Sequence, residues 1–195
     1  YSGKKFKVDV PQMSMYEELC AGKSGFLQLG SHIGNDELAG YELRPPKKMS
    51  ALVFGGEGEA LTENRERILG GNNVRLVNIS GDMSHLVILN NALADGEIVN
   101  IHGDRVFGSN RTVCCEILGA DAELPLGPFL LASMRNVPAV SVFVMKAGLR
   151  KYRVRLYRLD KGLEDLGVRE KAVAMAKAYA GAVTEVLKVY PDQWF

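Results

Sequence analysis

Short apolar runs alternate with amphipathic stretches along this chain, and that alternation is typical of an α/β domain. The apolar runs predict seven strands, at residues 25–30, 49–54, 74–79, 97–102, 111–118, 139–146 and 152–159. Apolar residues at helical spacing predict five helices, at residues 13–21, 59–69, 83–94, 129–135 and 168–189. The longest of these helices is rich in alanine and carries an apolar stripe along one face.

Local signals define several boundaries. Asp95-Gly96 ends the helix at 83–94, and Pro128 fits the first turn of the next helix, where its missing N–H costs nothing. Ala147-Gly148 predicts the turn between the last two strands. No repeat, low-complexity segment or linker interrupts the 195 residues, so we expect one domain, 1–195.

The composition restricts the class of partner. Hydrophobic residues make up 47% and charged residues 24% of the chain, which is ordinary for a globular domain. A formal net charge of +1 gives no global field that would attract nucleic acid or an anionic membrane. We therefore expect no nucleic-acid partner, and any basic contact surface must be local.

The cysteines and the chain ends bear on location. Cys20, Cys114 and Cys115 have no paired spacing, which favours a reducing compartment, and the His and Cys residues lack metal-ligand spacing, so no metal is expected. No apolar run is long enough to span a bilayer, and no signal peptide is recognised. Because the chain starts at Tyr1 and ends on Gln193-Trp-Phe195, we expect it to be cut at both ends.

A histidine and a carboxylate five positions later, His32 and Glu37, follow the predicted strand 25–30. An imidazole that takes a proton from an attacking hydroxyl needs a carboxylate to fix its tautomer and to stabilise the imidazolium. Gly30 and Gly34 flank the histidine and allow a sharp turn and the close approach of a substrate. On this spacing alone, a structural histidine is the more frequent case.

Three ordered blocks then give the chain a resemblance to a known family. They are Leu-Gly-Ser-His-Ile-Gly-Asn-Asp-Glu-Leu at 29–38, Val-Asn-Ile-His-Gly-Asp-Arg at 99–105 with Leu-Pro-Leu-Gly-Pro-Phe-Leu-Leu-Ala at 124–132, and Tyr-Pro-Asp-Gln-Trp-Phe at 190–195. Together they cover nearly the whole chain and resemble the lysophospholipid acyltransferase superfamily, in its lipid A biosynthesis (lauroyl/myristoyl) branch. The chain looks closest to the predicted acyltransferases of bacterial envelope gene clusters.

The resemblance implies a fold and a reaction. The implied fold is a mixed central sheet flanked by helices, similar to the glycerol-phosphate acyltransferases. The implied enzyme moves a fatty acyl group from an acyl carrier protein or coenzyme A thioester to a hydroxyl of a lipid or glycolipid acceptor, with no other cofactor. His32 would be the general base and Glu37 its orienting partner, and the hydroxyl would attack the thioester without a covalent acyl-enzyme.

The resemblance also implies substrate-binding residues, namely Asn35, Arg65, Asp104 and Arg105. The forked guanidinium of Arg105 suits a phosphate or phosphopantetheine group. Arg65 falls where the family places an arginine near the acceptor, and Arg67 is its alternative. The implied location is the cytoplasmic face of the bacterial inner membrane. Two features depart from the family: Asp36 stands where an aromatic residue is frequent, and the amino-terminal membrane helix is missing from this chain.

Other candidate features have simpler interpretations. Gly55-Gly-Glu-Gly58 lacks the spacing of a nucleotide-binding loop and favours a tight turn. His102 favours a packed, hydrogen-bonded side chain over a second base. The basic cluster Arg150–Arg155 favours the solvated face of an edge strand, with lipid phosphates or an acidic acyl carrier protein as the functional alternative. Trp194 and Phe195 fit either the core or a membrane interface.

Three other functions stay open at this point. The same fold would form an amide if the acceptor carried an amino group. A non-catalytic module that binds a lipid or nucleotide would use His32 only structurally. A methyltransferase of Rossmann type is suggested only by Gly55–Gly58, which lacks the required spacing.

Overall fold

The computed structural model describes residues 6–36, 38–39, 43, 45–53, 73–79, 84–106 and 111–195. Nine strands and four α-helices lie within these ranges. The strands β1–β9 span Lys7–Asp9, Phe26–Gly30, Met49–Val53, Val74–Asn78, Ile98–His102, Thr112–Ile117, Ala120–Pro125, Ala139–Gly148 and Lys151–Arg158. The helices α1–α4 span Met13–Ala21, Ser84–Ala94, Gly127–Arg135 and Val168–Val189, and a 3-10 turn follows at Pro191–Gln193.

Seven of the described strands form one mixed sheet in the order β1-β9-β8-β2-β5-β3-β4. The five strands from β8 to β4 in this order are parallel. Strand β9 runs antiparallel to β8, and β1 pairs with β9 in parallel orientation. Strands β6 and β7 form a separate antiparallel hairpin. The expected α/β class and mixed central sheet are therefore confirmed.

Helices cover both faces of the sheet. On one face α1 packs Tyr16 against Phe26 of β2, and on the other face α2, α3 and α4 pack around Leu27 and Leu29. Strand β2 is buried along its whole length because it lies between these two layers. Its one polar side chain, Gln28, accepts a hydrogen bond from the Tyr16 hydroxyl at 2.8 Å, so the buried amide is satisfied.

Most sequence-based boundaries agree with the structure to within two residues, and α4 has the predicted bounds. Strand β7 was missed because half of Ala120–Pro125 is exposed and, among the described strands, it pairs only with β6, so it lacks an apolar run. The predicted turn at Ala147-Gly148 is wrong by two residues: β8 continues to Gly148 and the loop is Leu149-Arg150. The predicted helix 59–69 and the glycine-rich turn 55–58 lie outside the described residues.

The parallel arrangement brings three chain segments to one edge of the sheet. In the register of β2 with β5, Gly30 is paired with His102, so both strands end at the same level. The Gly103 N–H donates to the carbonyl oxygen of Gly30 at 3.1 Å, just beyond the last pair. Strand β8 runs parallel to β2 on its other side and extends past this level to Gly148. Ligand sites of open α/β sheets lie outside such carboxyl ends.

Candidate active site

His32 and Asp104 each lie two residues beyond the end of a neighbouring parallel strand, and they are in direct contact. The His32 Nδ1 atom lies 2.8 Å from Oδ1 of Asp104, and the His32 main-chain N–H donates to Oδ2 of Asp104 at 2.7 Å. The Asp104 side chain is fully buried, whereas that of His32 is 24% exposed. The carboxylate thus binds both the ring and the backbone of His32.

This contact determines the chemistry available to the imidazole. A carboxylate beside Nδ1 accepts a hydrogen bond from the Nδ1–H group, so the lone pair of the neutral imidazole is on Nε2. In the part of the chain that the structure describes, Nε2 of His32 has no hydrogen-bond partner. The half-buried ring therefore presents a proton acceptor at the edge of the sheet, the arrangement that a general base requires.

Asp104 has a third donor, the indole of Trp194. The Nε1–H group of Trp194 donates to Oδ2 of Asp104 at 3.1 Å, the same oxygen that accepts the His32 main-chain N–H. Three N–H groups therefore surround one buried carboxylate. Both oxygens of Asp104 accept hydrogen bonds, so its side chain is held in one orientation.

The segment 191–195 is held in place by backbone pairing with the histidine loop. Ile33 and Trp194 form an antiparallel bridge, with Gly34 N–H donating to Gln193 O at 2.7 Å and Phe195 N–H donating to His32 O at 3.0 Å. The Gln193 amide bonds both main-chain groups of Lys146 in β8, at 2.9 Å and 3.0 Å. The segment therefore joins the histidine loop to β8 and brings Trp194 to Asp104.

Tyr179 of α4 contacts the end of β2, next to the site. Its buried hydroxyl donates to the carbonyl oxygen of Gly30 at 2.8 Å, at the end of β2. Burial raises the pKa of Tyr179 well above its usual value, and the nearby Asp104 carboxylate acts in the same direction. Tyr179 therefore stays a neutral donor. The sequence analysis missed it because it reads as one more apolar position in an alanine-rich helix.

Other atoms of the protein lie close to the backbone of the two glycines that flank His32. A Cβ atom on Gly30 would lie 2.7 Å from Cδ2 of His102, and one on Gly34 would overlap the carbonyl oxygen of Val144. Gly34 also has φ +75°, a left-handed conformation that glycine adopts without strain. The predicted sharp turn is confirmed, but the atoms that approach these glycines belong to His102 and β8.

A second histidine–carboxylate pair lies beside the first. The His102 Nε2 atom is 2.7 Å from Oδ2 of Asp36, and the rings of His32 and His102 meet edge to face with centroids 4.5 Å apart. Each pair joins the loop after β2 to the end of β5. The first pair has its histidine in the loop after β2, whereas the second pair has its carboxylate there. The prediction that His102 is packed and hydrogen-bonded is confirmed.

Asn35 and Arg105, predicted to bind substrate, both lie at this edge with exposed side chains. The Asn35 Oδ1 atom accepts the Leu38 N–H at 3.3 Å. The Nη2 group of Arg105 donates to the main-chain oxygen of Phe195 at 2.7 Å, and its other N–H groups are available to a ligand. Glu37 and Arg65 lie outside the described residues.

The prediction that Asp104 binds substrate is corrected by the structure. Its side chain is fully buried, and both oxygens are bonded by His32 and Trp194. These contacts suit Asp104 to orient the His32 ring, the role that the family resemblance implies for Glu37. The missing information was the register of β2 with β5, which no local pattern reports.

Comparison with the models of known protein families finds no match, and no curated protein matches the chain significantly. Within the described ranges, no group of three or more His, Cys, Asp or Glu side chains is arranged to hold a metal ion. No helix among the described residues is both long enough and apolar enough to cross a bilayer.

Proposed function

We propose that this chain is an acyltransferase. It moves a fatty acyl group from an acyl carrier protein or coenzyme A thioester to a hydroxyl of a lipid or glycolipid acceptor, at the cytoplasmic face of the bacterial inner membrane. The observation that carries the proposal is the contact of His32 with Asp104, at 2.8 Å and with the ring partly exposed. The resemblance of the surrounding sequence blocks to the lipid A acyltransferases supplies the reaction class.

The proposed reaction uses His32 twice. Its Nε2 atom takes the proton of the acceptor hydroxyl while the oxygen attacks the thioester carbonyl carbon. The C–S bond then breaks, and the thiolate takes the proton back from the imidazolium as the ester is released. The Asp104 carboxylate keeps its hydrogen bond to Nδ1 and stabilises the imidazolium, and the contact with Trp194 keeps the carboxylate in place.

The remaining residues of the proposal act on the substrates. Arg105 lies at the edge beside His32 and is proposed to bind a phosphate of the donor or acceptor, with Asn35 close by. Arg65 is proposed to bind near the acceptor and Glu37 to contribute to the base, both on the sequence resemblance alone. Substitutions separate these assignments. Loss of a phosphate-binding residue is expected to raise KM, whereas loss of a residue that acts on His32 is expected to lower kcat.

The test measures transfer of a labelled acyl group, from acyl carrier protein and from coenzyme A in parallel, to extracted bacterial envelope lipids. The His32→Gln variant is expected to lose at least about a hundredfold in rate. Its melting temperature is expected to match that of the parent because the ring is partly exposed. Lys161→Ala, at the opposite edge of the sheet, is the control. Full transfer by His32→Gln would refute the proposal.

The same assay separates the hydroxyl acceptor from an amino acceptor. An ester product is cleaved by mild alkali, whereas an amide survives. Mass spectrometry of the product before and after this treatment therefore identifies the bond that the enzyme forms. An alkali-stable product would replace O-acylation by N-acylation, and complete absence of transfer with either donor would favour a non-catalytic module.

A further inference from the structure

The tip of the β8–β9 hairpin, residues Lys146–Lys151, contacts Gln193 at Lys146 and β1 at Arg150 and Lys151 through main-chain hydrogen bonds and strand pairing. All six of its residues are exposed. Its two loop residues are Leu149 and Arg150, and Leu149 is 87% exposed, the highest fraction of any large hydrophobic side chain in the described residues. Single exposed apolar side chains are common on protein surfaces, so Leu149 is informative only together with the charges that surround it.

The same tip concentrates positive charge. The tip contains Lys146, Arg150 and Lys151. Lys7 of the neighbouring strand β1 is paired directly with Lys151. None of these four side chains has an ion-pair partner among the residues that the structure describes. No Asp or Glu occurs between residues 146 and 159, although the whole chain has a net charge of only +1.

Farther along the hairpin, two arginines form ion pairs. Arg153 bonds Asp9 at 2.9 Å and Arg158 bonds Asp160 at 2.8 Å. Arg155, which lies between them and is partly buried, has no ion-pair partner among the residues that the structure describes. Three of the unpaired cations of the hairpin are therefore exposed at the tip. Because β1 pairs with β9 at Lys151, protection of an edge strand does not account for the charge at that position.

Two features of the tip lower the stability of the fold. Arg150 has φ +58°, a left-handed conformation in which glycine or asparagine is usual. Lys7 and Lys151 are neighbours of like charge across paired strands, which is unfavourable. Positive charge therefore stands at two positions where it does not favour the fold, which supports a role for it in contact with another molecule.

The tip lies on the same edge of the sheet as His32. The Asn35 N–H donates to the carbonyl oxygen of Val144 at 2.8 Å, so β8 passes directly beside the histidine loop. Since a strand rises about 3.3 Å per residue, Gly148 at the start of the turn lies about 13 Å beyond Val144. A surface that contacts the tip is therefore close to the entrance of the candidate active site.

We propose that the hairpin tip docks the protein on an anionic lipid bilayer. Leu149 enters the apolar boundary below the headgroups, while Lys146, Arg150 and Lys151 bind lipid phosphates. A bilayer is favoured over an acidic protein because protein partners bury broad, well-packed patches, whereas a convex tip with one apolar side chain at its apex suits insertion. The docked orientation would place His32 toward a lipid acceptor, and this part of the proposal rests on the proposed function. The binding to the bilayer does not depend on it.

The test is sedimentation of the chain with vesicles of phosphatidylcholine, with and without phosphatidylglycerol. The parent is expected to bind only the vesicles with phosphatidylglycerol, and less at high salt. Leu149→Ser is expected to lower the partition coefficient by about tenfold. Arg150→Gly is expected to lower it by about fivefold without loss of thermal stability, because glycine relieves the left-handed backbone. Unfolding therefore cannot explain the second result.

Matched controls come from the opposite edge of the sheet. Met134 is 71% exposed and Lys161 is exposed, so Met134→Ser and Lys161→Ala make the same kinds of change away from the tip and are expected to bind like the parent. Tip variants that bind like the parent, or a parent that binds no vesicle or binds pure phosphatidylcholine equally, would overturn the proposal. Tip-dependent binding to acidic acyl carrier protein without vesicle binding would overturn it as well. His32→Gln is expected to bind vesicles normally, which separates docking from catalysis.

Discussion

Asp104 binds His32 at two atoms, the ring Nδ1 at 2.8 Å and the main-chain N–H at 2.7 Å, although the two residues are 72 positions apart in the chain. Both residues follow the ends of paired parallel strands, so the sheet register itself sets the contact. The ring cannot rotate away from the carboxylate without losing the first bond, and the loop cannot move without losing the second. The imidazole is therefore oriented before any substrate binds, which is the condition for efficient proton transfer.

Asp104→Asn tests the orientation directly. Two N–H groups, from His32 and Trp194, point at Oδ2, so the asparagine will place its oxygen there and its NH2 group at Nδ1. The imidazole must then accept at Nδ1 and carry its proton on Nε2, the wrong tautomer for a base. We expect kcat to fall by about a thousandfold or more with little change in KM. Nitrogen NMR of the imidazole reports the tautomer, and kcat within tenfold of the parent would contradict the assignment.

Trp194→Phe removes one donor from Asp104 and keeps an aromatic ring. The carboxylate retains its bonds to His32, so the orientation of the imidazole weakens without being lost. A hydrogen bond to a charged group contributes about 1.5 kcal/mol, so we expect kcat to fall by about tenfold. Steady-state kinetics with unchanged circular dichroism would support this, and an unaltered kcat would show that the indole is dispensable.

Much of the architecture could be predicted from the sequence, because strands and helices that bury apolar residues leave a periodic pattern. Helix α4 and strand β2 are examples. The site was predicted less completely. His32 was found by its spacing and by the blocks around it, whereas the role of Asp104 depends on which strand lies beside β2. Strand order and register are long-range properties set by packing, so no local pattern contains them.

Gly34→Ala tests the closeness of the histidine loop to β8, with Gly119→Ala as the matched control. Both glycines have left-handed φ values, +75° and +82°, but a Cβ on Gly34 would meet the Val144 carbonyl oxygen, whereas one on Gly119 meets nothing within 4 Å. We expect Gly119→Ala to cost about 1 kcal/mol and Gly34→Ala at least about 2 kcal/mol more. Chemical denaturation measures both. Equal losses would mean that the loop relaxes without cost.

Asp160→Asn tests a structural ion pair and predicts a pH dependence of stability. Asp160 bonds Arg158 through both oxygens, at 2.9 Å and 2.8 Å, and accepts the Ala139 N–H at 3.1 Å. Burial alone would raise the pKa of Asp160, but these bonds outweigh it and hold the pKa below its usual value. We expect the variant to lose about 2 kcal/mol of stability at neutral pH.

The sign of the pH effect follows from linkage. Because the pKa of Asp160 is lower in the folded than in the unfolded protein, its contribution is complete above the unfolded pKa of about 4 and is lost as the pH falls through the folded pKa. The difference between parent and variant should therefore be constant above about pH 5 and shrink in acid. Asp9→Asn, which breaks the exposed pair with Arg153, is the control and should cost less than about 1 kcal/mol. Urea denaturation across this pH range measures both, and a difference that grows as the pH falls would show that Asp160 is not held in its charged form by these bonds.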